Sequence, residues 1–132
     1  MGHPNEELAR SEMEASLRGD LEGMLDHYSD DVVFHYPGHN VLSGSHQGKE
    51  GIREFVRRIG DLLGEEGTFD RTLHDVLASD DHAVELVTVD ARRSDGRTAH
   101  WNASVVMHVR GGRISEIWVS IDDPYAVDEL LT

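Results

Sequence analysis

One amphipathic stretch restricts this chain more than any other feature. Between Lys49 and Gly64 the apolar residues Ile52, Phe55, Val56, Ile59, Leu62 and Leu63 recur with the 3.6-residue period of a helix that has one apolar stripe. That stripe must be covered. Downstream lie four runs rich in β-branched and aromatic residues: Phe69 to Leu77, Ala83 to Arg93, Thr98 to Val109 and Arg113 to Ile121. Their separators, Ser79-Asp80-Asp81, Ser94-Asp95-Gly96 and Gly111-Gly112, are short turn formers, so neighbouring strands are expected to pair antiparallel.

Upstream, Leu8, Met13 and Leu17 predict a first helix that stops at Gly19. Asp20 is placed to cap a second helix carrying Leu21, Met24, Leu25 and Tyr28 on one face. Val32-Val33-Phe34-His35-Tyr36, stopped by Pro37-Gly38, predicts a short strand, and His39 to Gly48 a loop or small hairpin. Helices first and a strand meander after them make an α+β fold. With 132 residues and no repeat or linker, a single domain over 1–132 is expected.

Composition narrows the function classes. There is no cysteine, which excludes disulfides, thiolate nucleophiles and cysteine-ligated metal, and fits a cytoplasmic location. Acidic residues outnumber basic ones 26 to 12, and a formal charge of −14 repels both a phosphate backbone and an anionic membrane surface. Neither nucleic acid nor membrane is therefore an expected partner. Met1 to Asp20 has neither a basic n-region nor an apolar run, so no signal peptide is read there, and no stretch reaches transmembrane length. The nine histidines show no His-x-His or His-Glu-x-x-His spacing, and the Gly-rich turns lack the residues of a phosphate loop or dinucleotide fingerprint. No metal and no cofactor are expected.

Several stretches carry a family resemblance through their order and spacing. They are Gly19-Asp20-Leu21-Glu22-Gly23, Tyr28 to His35 with Pro37-Gly38 behind it, Gly48-Lys49-Glu50-Gly51-Ile52, and Gly112 to Trp118 leading to Asp122. Together they resemble the SnoaL-like and ketosteroid-isomerase-like proteins of the nuclear-transport-factor-2-like superfamily. The resemblance implies a cone-shaped fold, a curved antiparallel or mixed sheet wrapped around a long helix and N-terminal helices, enclosing one pocket. It also implies a homodimer formed through the outer sheet face. It leaves the reaction open among isomerases, polyketide cyclases, epoxide hydrolases, dehydratases and non-catalytic proteins.

Where ketosteroid isomerases carry a proton-moving carboxylate, an oxyanion-holding tyrosine and a protonated aspartate, the resemblance puts Tyr36, Glu12 and roughly Val105. That machinery is disfavoured. The polyketide cyclases of the SnoaL-like branch have an acid–base aspartate four residues after a tryptophan on the last strand, the relation of Trp118 to Asp122. Their histidine on the preceding strand is replaced here by Met107.

Period two puts Trp118 and Asp122 on one face, where an apolar pocket would raise the carboxyl's proton affinity toward the range useful for carbon acids. The alternative is that Asp122 or Asp123 caps the segment from Pro124 to Leu131. Alternation allows only one of His35 and Tyr36 inward, and His74 poses a similar question. If Met107 faces inward, Trp101, Ala103, Val105 and Val109 share its face as a pocket wall or plain core. The expected catalytic residues are Asp122, His35 and Tyr36, and the expected pocket lining is Phe34, Phe55, His74, Trp101, Val105, Met107 and Trp118. The reading is a cofactor-free acid–base enzyme acting on a small hydrophobic carbonyl compound, of isomerase, cyclase or dehydratase type. A non-catalytic binding protein with the same pocket, or a dimeric interaction protein, are the alternatives.

Overall fold

The computed structural model describes residues 3–132. In chain order it has α1 (Pro4–Leu17), α2 (Leu21–Leu25), β1 (Tyr28–Tyr36), β2 (Gly44–Gln47), α3 (Gly48–Leu63), β3 (Thr68–Ala78), β4 (His82–Arg92), β5 (Thr98–Arg110), β6 (Arg113–Ile121) and α4 (Pro124–Leu130). Helix α1 starts at Pro4, whose missing N–H costs nothing in a first turn. It ends just before Gly19, which adopts φ 77°, a conformation open to glycine without strain. The Asp20 carboxylate then accepts from the Gly23 amide at 2.9 Å and starts α2.

The six strands form one sheet in the order β2-β1-β6-β5-β4-β3. β3 through β6 pair antiparallel as a meander, and β2 folds back on β1 as the small hairpin. β1 pairs with β6 in parallel, so the sheet is mixed. One element differs from the sequence expectation. Tyr28 opens β1 rather than riding on α2, so that strand begins four residues before Val32. The α2 helix ends at Leu25, and the Ile114 amide donates to the His27 carbonyl at 2.9 Å, which captures the chain into the sheet early.

Register shifts in the β1–β6, β3–β4 and β5–β6 ladders mark the irregularities at which strands bend, and the curvature encloses α3. The expected alternation holds on the two central strands. β4 turns Ala83, Glu85, Val87, Val89 and Ala91 inward, and β5 turns Trp101, Ala103, Met107 and Val109 inward. The stripe of α3 meets this face, with Ile52, Phe55 and Leu63 buried. Gly64 ends α3 at φ 85°, and a Cβ there would lie 2.4 Å from the Ser94 hydroxyl, so the helix-to-strand corner admits no side chain. Two buried clusters result. One joins Met13, Phe55, Trp101 and α4; the other joins Ala9, Tyr28, Ile52 and Met107. No described helix is long and apolar enough to cross a membrane.

Candidate active site

Between the sheet and the helices packing leaves a cavity of about 270 Å³. Ile52, Phe55 and Ile59 of α3 line it on one side, and Trp101, Val105 and Met107 of β5 on the other. Phe34 and Tyr36 come from β1, and Ile117 and Val119 from β6. Apart from Tyr36, the polar side chains of the wall form one group: Glu12 and Ser16 of α1, Tyr28 of β1, Arg71 of β3 and Glu85 of β4.

Each of these is carried inward by the periodicity of its element. Glu12 lies on the buried stripe of α1 with Asn5 and Ala9, and Glu85 occupies an inward position between Ala83 and Val87. Glu12 is 6% exposed and Glu85 2%. The Tyr28 hydroxyl donates to Glu12 Oε2 at 2.5 Å. Arg71 Nη1 donates to Ser16 Oγ at 2.8 Å and Nη2 to the Ser16 carbonyl at 3.3 Å, and the guanidinium sits 5.7 Å from the Phe69 ring centre. Three buried polar atoms have no protein partner among the described residues: Glu12 Oε1, Glu85 Oε2 and Arg71 Nε.

The buried carboxyl of Glu85 feels the charge of Glu12, and a second anion there would be repelled. A proton on Glu85 removes that repulsion. Burial, and after it the charge of Glu12, pushes the Glu85 carboxyl well above the usual carboxylate range. The same burial and the same neighbour push the Tyr28 hydroxyl up, so it stays a neutral donor. Burial lowers Arg71, against the pull of Glu12 and Glu85, yet a guanidinium remains the cation of the group. The arrangement is an acid–base pair with a hydroxyl and a cation beside it, at one end of an apolar hole. It can take a proton from a carbon acid and return it, with the Arg71 cation beside it to offset negative charge that develops.

Of the residues expected at the site, Phe34, Tyr36, Phe55, Trp101, Val105 and Met107 line the cavity. Asp122, His35, Trp118 and His74 do not. On β6 it is Ile117 and Val119 that face inward, so the intervening Trp118 lies on the outer face, 37% exposed, and Asp122 follows it there. Asp122 accepts from the Asn102 amide at 2.8 Å and from Asn102 Nδ2 at 2.9 Å. Those bonds hold its carboxyl below the usual range, the reverse of the expected shift. The cap of α4 is Asp123, which accepts from the Ala126 amide at 3.2 Å. His35 stacks on Trp118 at 5.5 Å and reaches Glu116 Oε2 at 2.6 Å and Ser45 Oγ at 2.8 Å, all outside. His74 bonds Thr88 Oγ1 on the same outer face. Sequence reasoning missed Tyr28, Arg71 and Glu85, although the parity of Glu85 within an otherwise apolar inward row was readable. Among the described residues no three His, Cys, Asp or Glu side chains converge on a metal-sized site.

Comparison with known proteins agrees with this architecture. The family model described as "SnoaL-like domain" matches residues 9–117. The uncharacterized protein Rv0034 of Mycobacterium tuberculosis is 29% identical over 123 residues, covering 92% of each chain. Bal32a, from a soil-derived mobile gene cassette, superposes with a TM-score of 0.89 at 28% identity, over 98% of this chain and 97% of its own. TerC, crystallised with polyporic acid, superposes with a TM-score of 0.85 at 23% identity, over 98% of both chains.

The carboxyl pair makes a stability prediction. The folded protein keeps a proton on Glu85 that the unfolded chain releases above its ordinary value of 4.5. Stability from that proton is complete below that pH and is lost as pH rises toward the folded carboxyl's own titration. Glu85→Gln supplies an N–H to Glu12 and does not titrate. Its stability relative to the parent should therefore grow between pH 5 and 8, by up to about 1.4 kcal/mol per pH unit in chemical denaturation. Parallel curves for the two proteins would mean that Glu85 carries no proton.

Proposed function

The chain belongs to the SnoaL-like domain family, and on that footing we propose a cofactor-free acid–base enzyme acting on a small hydrophobic carbonyl compound. The observation that carries this reading is the pair of buried carboxyls, Glu12 and Glu85, with orphaned oxygens at the end of an apolar cavity. Burial of that kind persists at functional sites because it tunes proton affinity.

The substrate's carbonyl oxygen lies beside the Arg71 guanidinium, and the proton on the neighbouring carbon passes to a carboxylate oxygen of the pair. The electrons of the broken C–H bond move onto the carbonyl oxygen, giving an enolate whose charge the guanidinium offsets. The pair then returns a proton, at the same carbon or at another along the enolate. Isomerisation, aldol-type cyclisation and dehydration of a β-hydroxy ketone all begin with this abstraction. The apolar walls keep water from the enolate and strengthen every electrostatic contact inside.

We further propose that two copies pair through the outer sheet face. Leu77, Val84, Val106 and Trp118 stand in register on four adjacent strands and form an apolar row across that face. Leu77 is 53% exposed. His35 continues the row on β1, stacked on Trp118. A stable pair needs about 800 Å² from each partner, which a row spanning five strands and its flanks can supply.

Two measurements check these readings. In deuterated buffer, the protein should speed incorporation of deuterium next to the carbonyl of bound aryl ketones such as 2-acetylnaphthalene and 1-indanone, followed by proton NMR. Glu85→Gln should lower that rate at least about a hundredfold. Rates equal to buffer for the parent, or unchanged in the variant, would leave a binding cavity without this chemistry. For the outer face, light scattering behind size exclusion should report a dimer, and Trp118→Asp should give a monomer with the same circular dichroism. A parent that runs as a monomer at 100-fold different loadings would rule the pairing out.

A further inference from the structure

The cavity has a second polar point that the proton chemistry leaves unused. Tyr28 and Tyr36 stand at the two ends of the nine-residue β1, and both line the cavity. The Tyr28 hydroxyl is committed to Glu12. Tyr36 is 8% exposed, with its ring 4.9 Å from Phe55 and 6.1 Å from Phe34, yet its hydroxyl has no hydrogen-bond partner among the described residues. The nearest charge, Asp128 of α4, is engaged elsewhere: its Oδ1 accepts from the His39 amide at 2.9 Å and from Asn40 Nδ2 at 2.8 Å. The hydroxyl is not among the sealed orphaned atoms, so it keeps accessible surface, and an unpaired donor on a wall otherwise apolar at that end is a place where a ligand oxygen can bond. Between the two tyrosines the wall is Phe34, Val87, Ala103, Ile117 and Val119, with no polar side chain.

We propose that the cavity takes an elongated, largely apolar molecule with an oxygen function at each end, one held at the Glu12–Glu85–Arg71 group and the other by the Tyr36 hydroxyl. The near end rests on the proton-transfer reading; the far end stands on the geometry of Tyr36 alone. Burial raises the Tyr36 hydroxyl's proton affinity, so it is neutral at any physiological pH. A neutral phenol donates to a carbonyl or accepts from a hydroxyl, and either function suits the far end of the ligand. A rigid body fits best, because the apolar walls give a flexible chain nothing to hold it straight. This makes Tyr36 a specificity residue: it discriminates two-ended from one-ended ligands and does not touch the reacting carbon.

The test is binding, so that it does not depend on turnover. The probes are 4-acetylbiphenyl and 4-acetyl-4′-hydroxybiphenyl, titrated calorimetrically into the parent protein, Tyr36→Phe and Glu85→Gln. The parent should bind the hydroxylated probe about tenfold more tightly, the size of one hydrogen bond made in a dry site. Tyr36→Phe should bind both probes with the parent's affinity for 4-acetylbiphenyl. Glu85→Gln should keep the tenfold ratio even with catalysis gone. Without ligand, Tyr36→Phe should melt no lower than the parent, since no internal bond is lost. A ratio near one in the parent, a ratio that survives in Tyr36→Phe, a lower melting temperature for that variant, or no binding of either probe would each overturn the proposal. A preserved ratio in a protein that catalyses no deuterium exchange would sink the proton-transfer reading alone.

Discussion

Two carboxyl groups share one apolar cavity with one guanidinium, and the position of almost every other element serves that arrangement. An isolated carboxylate moved into such a place would cost several kcal/mol, and two would cost more. The chain meets the cost by keeping a proton on Glu85, by the Tyr28 hydroxyl on Glu12, and by Arg71 anchored to Ser16. The two bonds tie α1 to β1 and β3. Removing one partner would orphan another, so the group acts as a single structural unit as well as a chemical one.

The curved sheet around α3 provides the dry volume in which that unit is useful. Apolar residues at period two on β4, β5 and β6, facing the period-3.6 stripe of α3, line the cavity away from its polar end. In such surroundings the charge of the Arg71 guanidinium is less screened than it would be in water. Family membership is consistent with this design but does not choose a reaction, because the same cone carries different chemistry in different members.

Much of the fold was legible because it is written in period. The α3 stripe, the four-strand meander with its turn residues, and the set of β5 residues that share one face follow from spacing alone. The site was less legible because it depends on absolute parity and on partners far apart in the chain. A strand pattern says which residues share a face; it does not say which face is inside. Trp118 and Asp122 do share a face, yet Ile117 and Val119 occupy the inner one, so both fall outside with His35. Tyr28 read as the last residue of a helical face, since Leu21, Met24 and Leu25 precede it at helical spacing; the backbone bond from Ile114 to His27 takes the chain into the sheet instead. Arg71 and Glu85 stand in inward rows, with Phe69 and Leu73 on one strand and Ala83 and Val87 on the next. A charged residue in such a row is the signal, and it gains meaning only when a second from another element meets it.

Burial beside Glu12 keeps a proton on Glu85 well above the ordinary carboxylate range, and carboxyl-carbon NMR of protein labelled at glutamate measures this. Followed from pH 4 to 9, the Glu85 resonance should keep the position of a protonated carboxyl well above pH 4.5. A Glu85 carbon that titrates near the ordinary 4.5 would overturn this reading of the site.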